Sequence, residues 1–169
     1  AVVVTSSTRA RDMAKAPVFI WGFGEGHTHG PLESATLTTL GGKQASAMAY
    51  QMADVAPRDI DFAELYDCFT AITIVTLEDY GFCAKGEGGP WVENGRIEIG
   101  GELPVNTHGG LLSHGHIEGM QHVTEAVKQL LGGCVESERQ VQNAKLGIIS
   151  GHGANLSAHA TLILGKESH

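Results

Sequence analysis

The chain has 169 residues, 42% of them apolar, which suits one domain with its own core. A net charge of -8 excludes a nucleic-acid partner, and no run approaches the ~20 apolar residues of a membrane span. Three widely spaced cysteines without a CxxC pair exclude a zinc ribbon, give no disulfide framework, and make a reducing cytoplasm the expected compartment.

In chain order, Ala1–Ser6 reads as a buried strand entered in mid-fold, too short and too uncharged for a signal peptide. Residues 1–15 then form that strand and a link bearing Arg9 and Arg11. Val18–Phe23 is a second strand closed by Gly22 and Gly24, and Glu25–Thr39 lacks periodicity and reads as a loop, with His27 and His29 on its surface. Ala45, Met48, Ala49, Met52 and Val55 make one helical face, ended by Ala56-Pro57.

Asp59–Leu65 is a short strand, and Tyr66-Asp67-Cys68-Phe69 opens a helix running to about Tyr80, with Asp67 placed to cap it. Asn94-Gly95 between Trp91-Val92 and Ile97–Ile99 predicts a two-residue hairpin. Met120, Val123, Val127, Leu130 and Leu131 mark another amphipathic helix, stopped by Gly132-Gly133. The chain closes with Leu146–Ser150, a Gly-His-Gly turn, and Ala158–Leu164. The expected fold class is α/β, a mixed five-stranded sheet with helices on both faces, in a single domain over 1–169.

Three polar elements interrupt this apolar framework. The first is Glu64 through Phe69, at a strand-to-helix junction where open α/β sheets bind ligands. The second, Asn106 through Gly119, holds four glycines that let backbone approach a ligand, and His108, His114 and His116 as proton carriers near neutrality. His114-x-His116-x-Glu118 would put three donors on one side of an extended segment, but this is a weak ligand pattern and no metal is expected. The third is Gly151-His152-Gly153, which lacks the lysine of a phosphate loop. Cys68 reads as a small buried hydrophobe, and Cys83 and Cys134 show no basic neighbours to activate a thiol.

Taken in order, these elements resemble the C-terminal half of a thiolase-superfamily protein of the lipid-transfer or sterol-carrier-thiolase type. Tyr66-Asp67-Cys68-Phe69 matches the Asn-Glu-Ala-Phe or His-Asp-Cys-Phe box. Asn106–Gly110 leading to Gly115-His116 matches the Gly-Gly run and Gly-His-Pro, and Gly151-His152-Gly153 matches the final Cys-x-Gly turn. Tyr66 is of the sort found in the aldolase-like branch, whereas His116 is of the thiolase sort. His152 stands at or near the acid/base Cys of true thiolases.

The resemblance implies C–C bond cleavage or formation on lipid or steroid side-chain acyl-CoA, by a retro-aldolase or a thiolase. Tyr66, His116 and His152 are its catalytic residues. Asn106 and His108 shape a loop whose Gly109-Gly110 backbone lies near the CoA thioester, which is substrate; no tightly bound cofactor is expected. The reactive cysteine would lie in an N-terminal half, so this chain alone is expected to be inactive. It further implies dimers or higher oligomers and a small OB-fold partner protein. The alternative is a noncatalytic lipid- or acyl-CoA-binding scaffold of the same fold.

Overall fold

The computed structural model describes residues 1–28, 37–134 and 136–169; the expected surface residue His29 lies outside them. Among the described residues a four-stranded sheet runs in the order β1-β4-β3-β2, with β1 Phe19–His27, β2 Phe62–Glu64, β3 Leu146–Gly153 and β4 Ala158–Gly165. β2 is parallel to β3, and β4 is antiparallel to β1 and β3. The expected fifth strand, Ala1–Ser6, is not in the sheet: Val3 and Val4 are 80% and 79% exposed, and apolar residues without a neighbouring strand have no ladder to join. The helices are α1 Ser7–Ala10, α2 Gly42–Ala53, α3 Thr70–Asp79, α4 Gly88–Trp91, α5 Gly110–His114 and α6 Met120–Leu131.

Side chains alternate across a strand, and the core divides accordingly. Ala63, Ile148 and Ile163 pack with Ala49 and Ala53 of α2 and Leu77 of α3. Their neighbours Phe62, Ile149 and Leu164 pack on the opposite face with Ala126 and Leu130 of α6. The sheet is thus covered by helices on both faces.

β1 runs four residues beyond the expected stop at Phe23. Gly22, Gly24 and Gly26 are not a turn but a flat stripe on which α2 rests. A Cβ at any of them would fall inside contact distance of the backbone oxygens of Ala49, Ala45 and Gly41. That close seating buries Ala45, Ala49 and Ala53 and turns Met48 and Met52 outward.

Asn94 and Gly95 do adopt left-handed conformations, φ 61° and 75°, but no hairpin forms. Gly88–Trp91 is a helical turn instead, and Trp91 and Val92 pack against the core while Arg96 stacks over the Trp91 ring at 5.2 Å. Gly151-His152-Gly153 is the end of β3, not the turn. The reversal falls on Ala154, Asn155 and Leu156, all at positive φ, where non-glycine residues are strained.

α6 is rotated from the expected face. Gln121, His122, Glu125 and Gln129 are buried beside Ala126 and Leu130, while Met120 and Leu131 are 55% and 39% exposed. The Gln129 amide and the Glu125 carboxylate are satisfied locally. Gln129 donates to the Thr107 hydroxyl at 2.9 Å and to the Arg139 carbonyl at 2.8 Å, and Arg139 lies 3.2 Å from Glu125. Hydrophobic spacing cannot see a face that buries paired polar groups.

Candidate active site

Because β2 and β3 are parallel, their carboxyl ends open at one edge of the sheet, where such folds bind ligands. Tyr66 follows β2, and its backbone N–H donates to the Ser150 hydroxyl on β3 at 2.9 Å. That bond holds residues 65–69 out of α3, which begins at Thr70. Tyr66 therefore points across the sheet edge toward His152, two residues beyond Ser150; the two rings are 5.5 Å apart. His116, exposed in the glycine-rich segment, reaches back so that its Nε2 lies 2.8 Å from the Tyr66 hydroxyl. Tyr66, His116 and His152 thus share one locality.

The other candidate residues form the wall behind them. Asn106, at φ 51°, accepts the Leu65 N–H on Oδ1 at 2.6 Å and ties the loop to the chain leading into Tyr66. Asp67 caps α5, not the helix that follows it, accepting from Leu111 N–H at 2.7 Å and Leu112 N–H at 3.4 Å. Gly110, at φ 66°, lies so near the Asp67 carboxylate that no Cβ fits there, and Gly109 is at φ 97°. His108 is turned inward, with Nδ1 2.9 Å from Glu64 Oε2. His114 lies beside it, ring centres 5.5 Å apart, so His114, His116 and Glu118 do not converge on one point.

Sequence reasoning gave no role to three buried groups, although Glu64 opens the first polar element. Glu64 is fully buried, its Oε1 accepting from the Thr107 N–H and hydroxyl at 3.1 and 2.7 Å. His122 is fully buried between Glu64 Oε2 at 3.6 Å and Asp67 Oδ1 at 3.7 Å. His159 lies 4.1 Å ring to ring from His152, with its Nε2 2.9 Å from the Tyr80 hydroxyl, which also contacts the Thr161 hydroxyl at 2.6 Å. Polar residues recurring at 121, 122, 125 and 129 on one helical face were the available signal for His122.

Burial, reinforced by the neighbouring Cys68, Glu118 and Asp67, raises the Tyr66 phenol, so it is a protonated donor at neutral pH. Burial also raises the Glu64 carboxyl, but contacts with His108, His122 and Thr107 outweigh it and hold the group below the usual range. Burial depresses His152 to about 4, and burial together with His152 depresses His159 to about 3, so both are neutral imidazoles. The thiols of Cys68, Cys83 and Cys134 are all raised, chiefly by burial, and none is an activated nucleophile.

Two cavities flank the site. One of about 280 Å³ is lined by His152, His159, Gly151, Gly153, Glu25 and His27. The other, about 590 Å³, includes His108, His114, Ile117 and Gln121 in its wall. Among the described residues no helix is long and apolar enough to cross a membrane.

A mixed sheet with helices on both faces, bearing a Tyr–His pair at the carboxyl edge of its parallel strands, defines a thiolase-like α/β domain. The chain belongs to the thiolase C-terminal domain-like family, which matches residues 24–166. It is 38% identical over 153 residues to a 17-hydroxy-3-oxo-4-pregnene-20-carboxyl-CoA lyase of Mycobacterium tuberculosis, covering 85% of this chain and 39% of that protein. It is 37% identical to a steroid side-chain-cleaving aldolase of Thermomonospora curvata, over 99% of this chain and 43% of the relative. Among solved structures, the Ltp2-ChsH2(DUF35) aldolase superposes with a TM-score of 0.85 at 33% identity, over 94% of this chain and 42% of the other. A monomeric SCP2-thiolase-like protein of Mycobacterium smegmatis, at 18% identity and TM-score 0.64, shares the fold. The chain spans about two fifths of the length of these first two relatives.

Proposed function

We propose that this chain is the C-terminal part of a larger thiolase-like enzyme that cleaves the Cα–Cβ bond of a β-hydroxy acyl-CoA, with a lipid or steroid side chain as the acyl group. The observation that carries the proposal is the Tyr66–His116 contact at 2.8 Å, next to His152, in a chain similar along its length to a steroid side-chain-cleaving aldolase.

In a retro-aldol step the Tyr66 oxygen takes the proton of the substrate's β-hydroxyl as its own proton passes to His116 Nε2. The relay matters because burial disfavours a free tyrosinate, and the concerted shift avoids forming one. The alkoxide collapses to a ketone or aldehyde, and the electrons of the broken bond move into the thioester to give an enolate. Neutral His152, whose ring nitrogens are buried and have no protein partner among the described residues, supplies an N–H to the enolate oxygen. A donor so placed is worth about 3 kcal/mol of barrier. The proton held on His116 then returns through Tyr66 to the enolate carbon, which releases the shortened acyl-CoA and restores the starting state. The Gly109-Gly110 backbone lies near the thioester, with Asn106 and His108 fixing the loop.

Residues 1–15 lead in from the half that would complete the acyl-CoA site. A small second protein completes the assembly, in keeping with the pairing of Ltp2 with ChsH2(DUF35) in the similar structure. A phenol in hydrogen-bond reach of one imidazole and 5.5 Å ring to ring from a second favours catalysis over a scaffold role.

The test is to incubate the complete protein, with its partner, with a β-hydroxy acyl-CoA and analyse the products. The reading expects a ketone or aldehyde together with an acyl-CoA shortened by the cleavage. Recovery of intact substrate from folded protein across steroid and fatty acyl chains would contradict it.

A further inference from the structure

Glu64, His108 and His122 come from three separate segments: the end of β2, the glycine-rich loop and α6. Each offers one donor atom, and the three atoms lie within 4.8 Å of one another. The side chains are almost wholly buried, at 0%, 4% and 0% exposure. While Thr107 occupies Glu64 Oε1, Oε2 faces the two imidazoles and forms no aligned hydrogen bond. His108 Nδ1 and His122 Nδ1 approach it to 2.9 and 3.6 Å, yet all four ring nitrogens of these histidines are buried without a hydrogen-bond partner.

Polar atoms that lack an aligned hydrogen bond are costly in such a place, and an interior that gathers five of them needs an explanation. Two imidazoles and a carboxylate separated by 2.9 and 3.6 Å have the spacing of ligands sharing an ion at ~2.1 Å from each. Behind the cluster, Asp67 Oδ1 lies 3.7 Å from His122 Nε2, on the ring nitrogen left over when Nδ1 is a ligand. Carboxylates occupy this position behind metal-binding histidines because they fix the tautomer and strengthen the donor.

We infer that Glu64 Oε2, His108 Nδ1 and His122 Nδ1 form a binding site for a first-row divalent cation of the zinc type. Two nitrogens and one oxygen suit such an ion better than magnesium or calcium, which favour all-oxygen shells. Three protein ligands leave at least one position to water, and His108 also lines the larger cavity, which gives the ion a route in. The bound ion would cross-link the strand end that leads to Tyr66, the loop that carries His116 and helix α6. This site is separate from the Tyr66–His116 pair and stands or falls independently of the proposed cleavage.

The experiment strips the complete protein with a chelator and titrates it with Zn²⁺, reading bound metal by elemental analysis and coordination by X-ray absorption on the wild type. The inference expects one equivalent bound at micromolar free zinc, with two imidazoles in the coordination shell. Glu64→Gln and His122→Asn should each weaken binding at least tenfold. Asp67→Asn, which keeps all three ligands, should weaken it by about 10- to 100-fold. Failure of the wild type to retain zinc at micromolar concentration would overturn the inference. So would a shell without histidine, or affinity unchanged in folded His122→Asn. The wild-type absorption spectrum decides the matter even if a variant does not fold.

Discussion

The Tyr66 hydroxyl and His116 Nε2 lie 2.8 Å apart although 50 positions separate them in the chain. Neither ring is placed by its own segment alone. Tyr66 is pinned through the Ser150 hydroxyl to β3, and the loop bearing His116 is anchored by Asn106 to Leu65 and by α5 to Asp67. In the proposed reaction this phenol and imidazole act as a proton relay, whose consequences differ from those of a thiolase.

A retro-aldol relay consumes no thiol, whereas thiolytic cleavage of a 3-ketoacyl thioester requires free CoA as acceptor. Cleavage by the complete protein should therefore proceed at the same rate with and without added CoA, followed by chromatography of the acyl-CoA products. A rate that rises in proportion to CoA would point to Claisen chemistry with His152 as the acid/base.

The buried pair His152 and His159 should make the fold acid-sensitive. Their folded values are depressed to about 4 and about 3 from 6.5. Above pH 6.5 both are neutral in either state, and their full contribution to stability is present. As the pH falls from 6.5 toward 4 the unfolded chain takes up protons that the folded chain refuses, so stability declines. Thermal midpoints measured from pH 7 to pH 4 should drop more steeply for the wild type than for His159→Asn. Parallel curves would show that the histidine does not resist protonation.

The seat of α2 on β1 depends on the glycine stripe. Gly24→Ala would drive a methyl into the Ala45 carbonyl region and push the helix away from the sheet. Overpacking of this kind costs about 1–3 kcal/mol. Calorimetry of the variant should show a lower thermal midpoint; an unchanged midpoint would mean that the helix shifts without cost.

Most of the scaffold was legible because it follows simple periodicities. β3, β4 and α2 lie where apolar runs and helical spacing put them, and the resemblance of three short boxes brought Tyr66, His116 and His152 forward together. What escaped notice depends on contacts between distant segments. Ala1–Ser6 has the composition of a strand but no partner in the sheet. Gly22 and Gly24 look like terminators but serve as a packing surface, which becomes clear only once α2 lies across them. Asp67 has the local look of a cap for α3, and its partners are instead 44 and 45 residues away. The burial of Glu64 and His122 was hidden for the same reason: their partners, here Thr107, His108 and Asp67, arrive from elsewhere in the chain.

The relay itself is tested most directly by Tyr66→Phe in the complete protein, which removes one oxygen from a ring whose packing is otherwise kept. Steady-state cleavage of a β-hydroxy acyl-CoA should show kcat lowered by about 10²- to 10⁴-fold with KM little changed, since proton transfer is lost while the acyl chain is still held. A variant that cleaves at the wild-type rate would contradict the account.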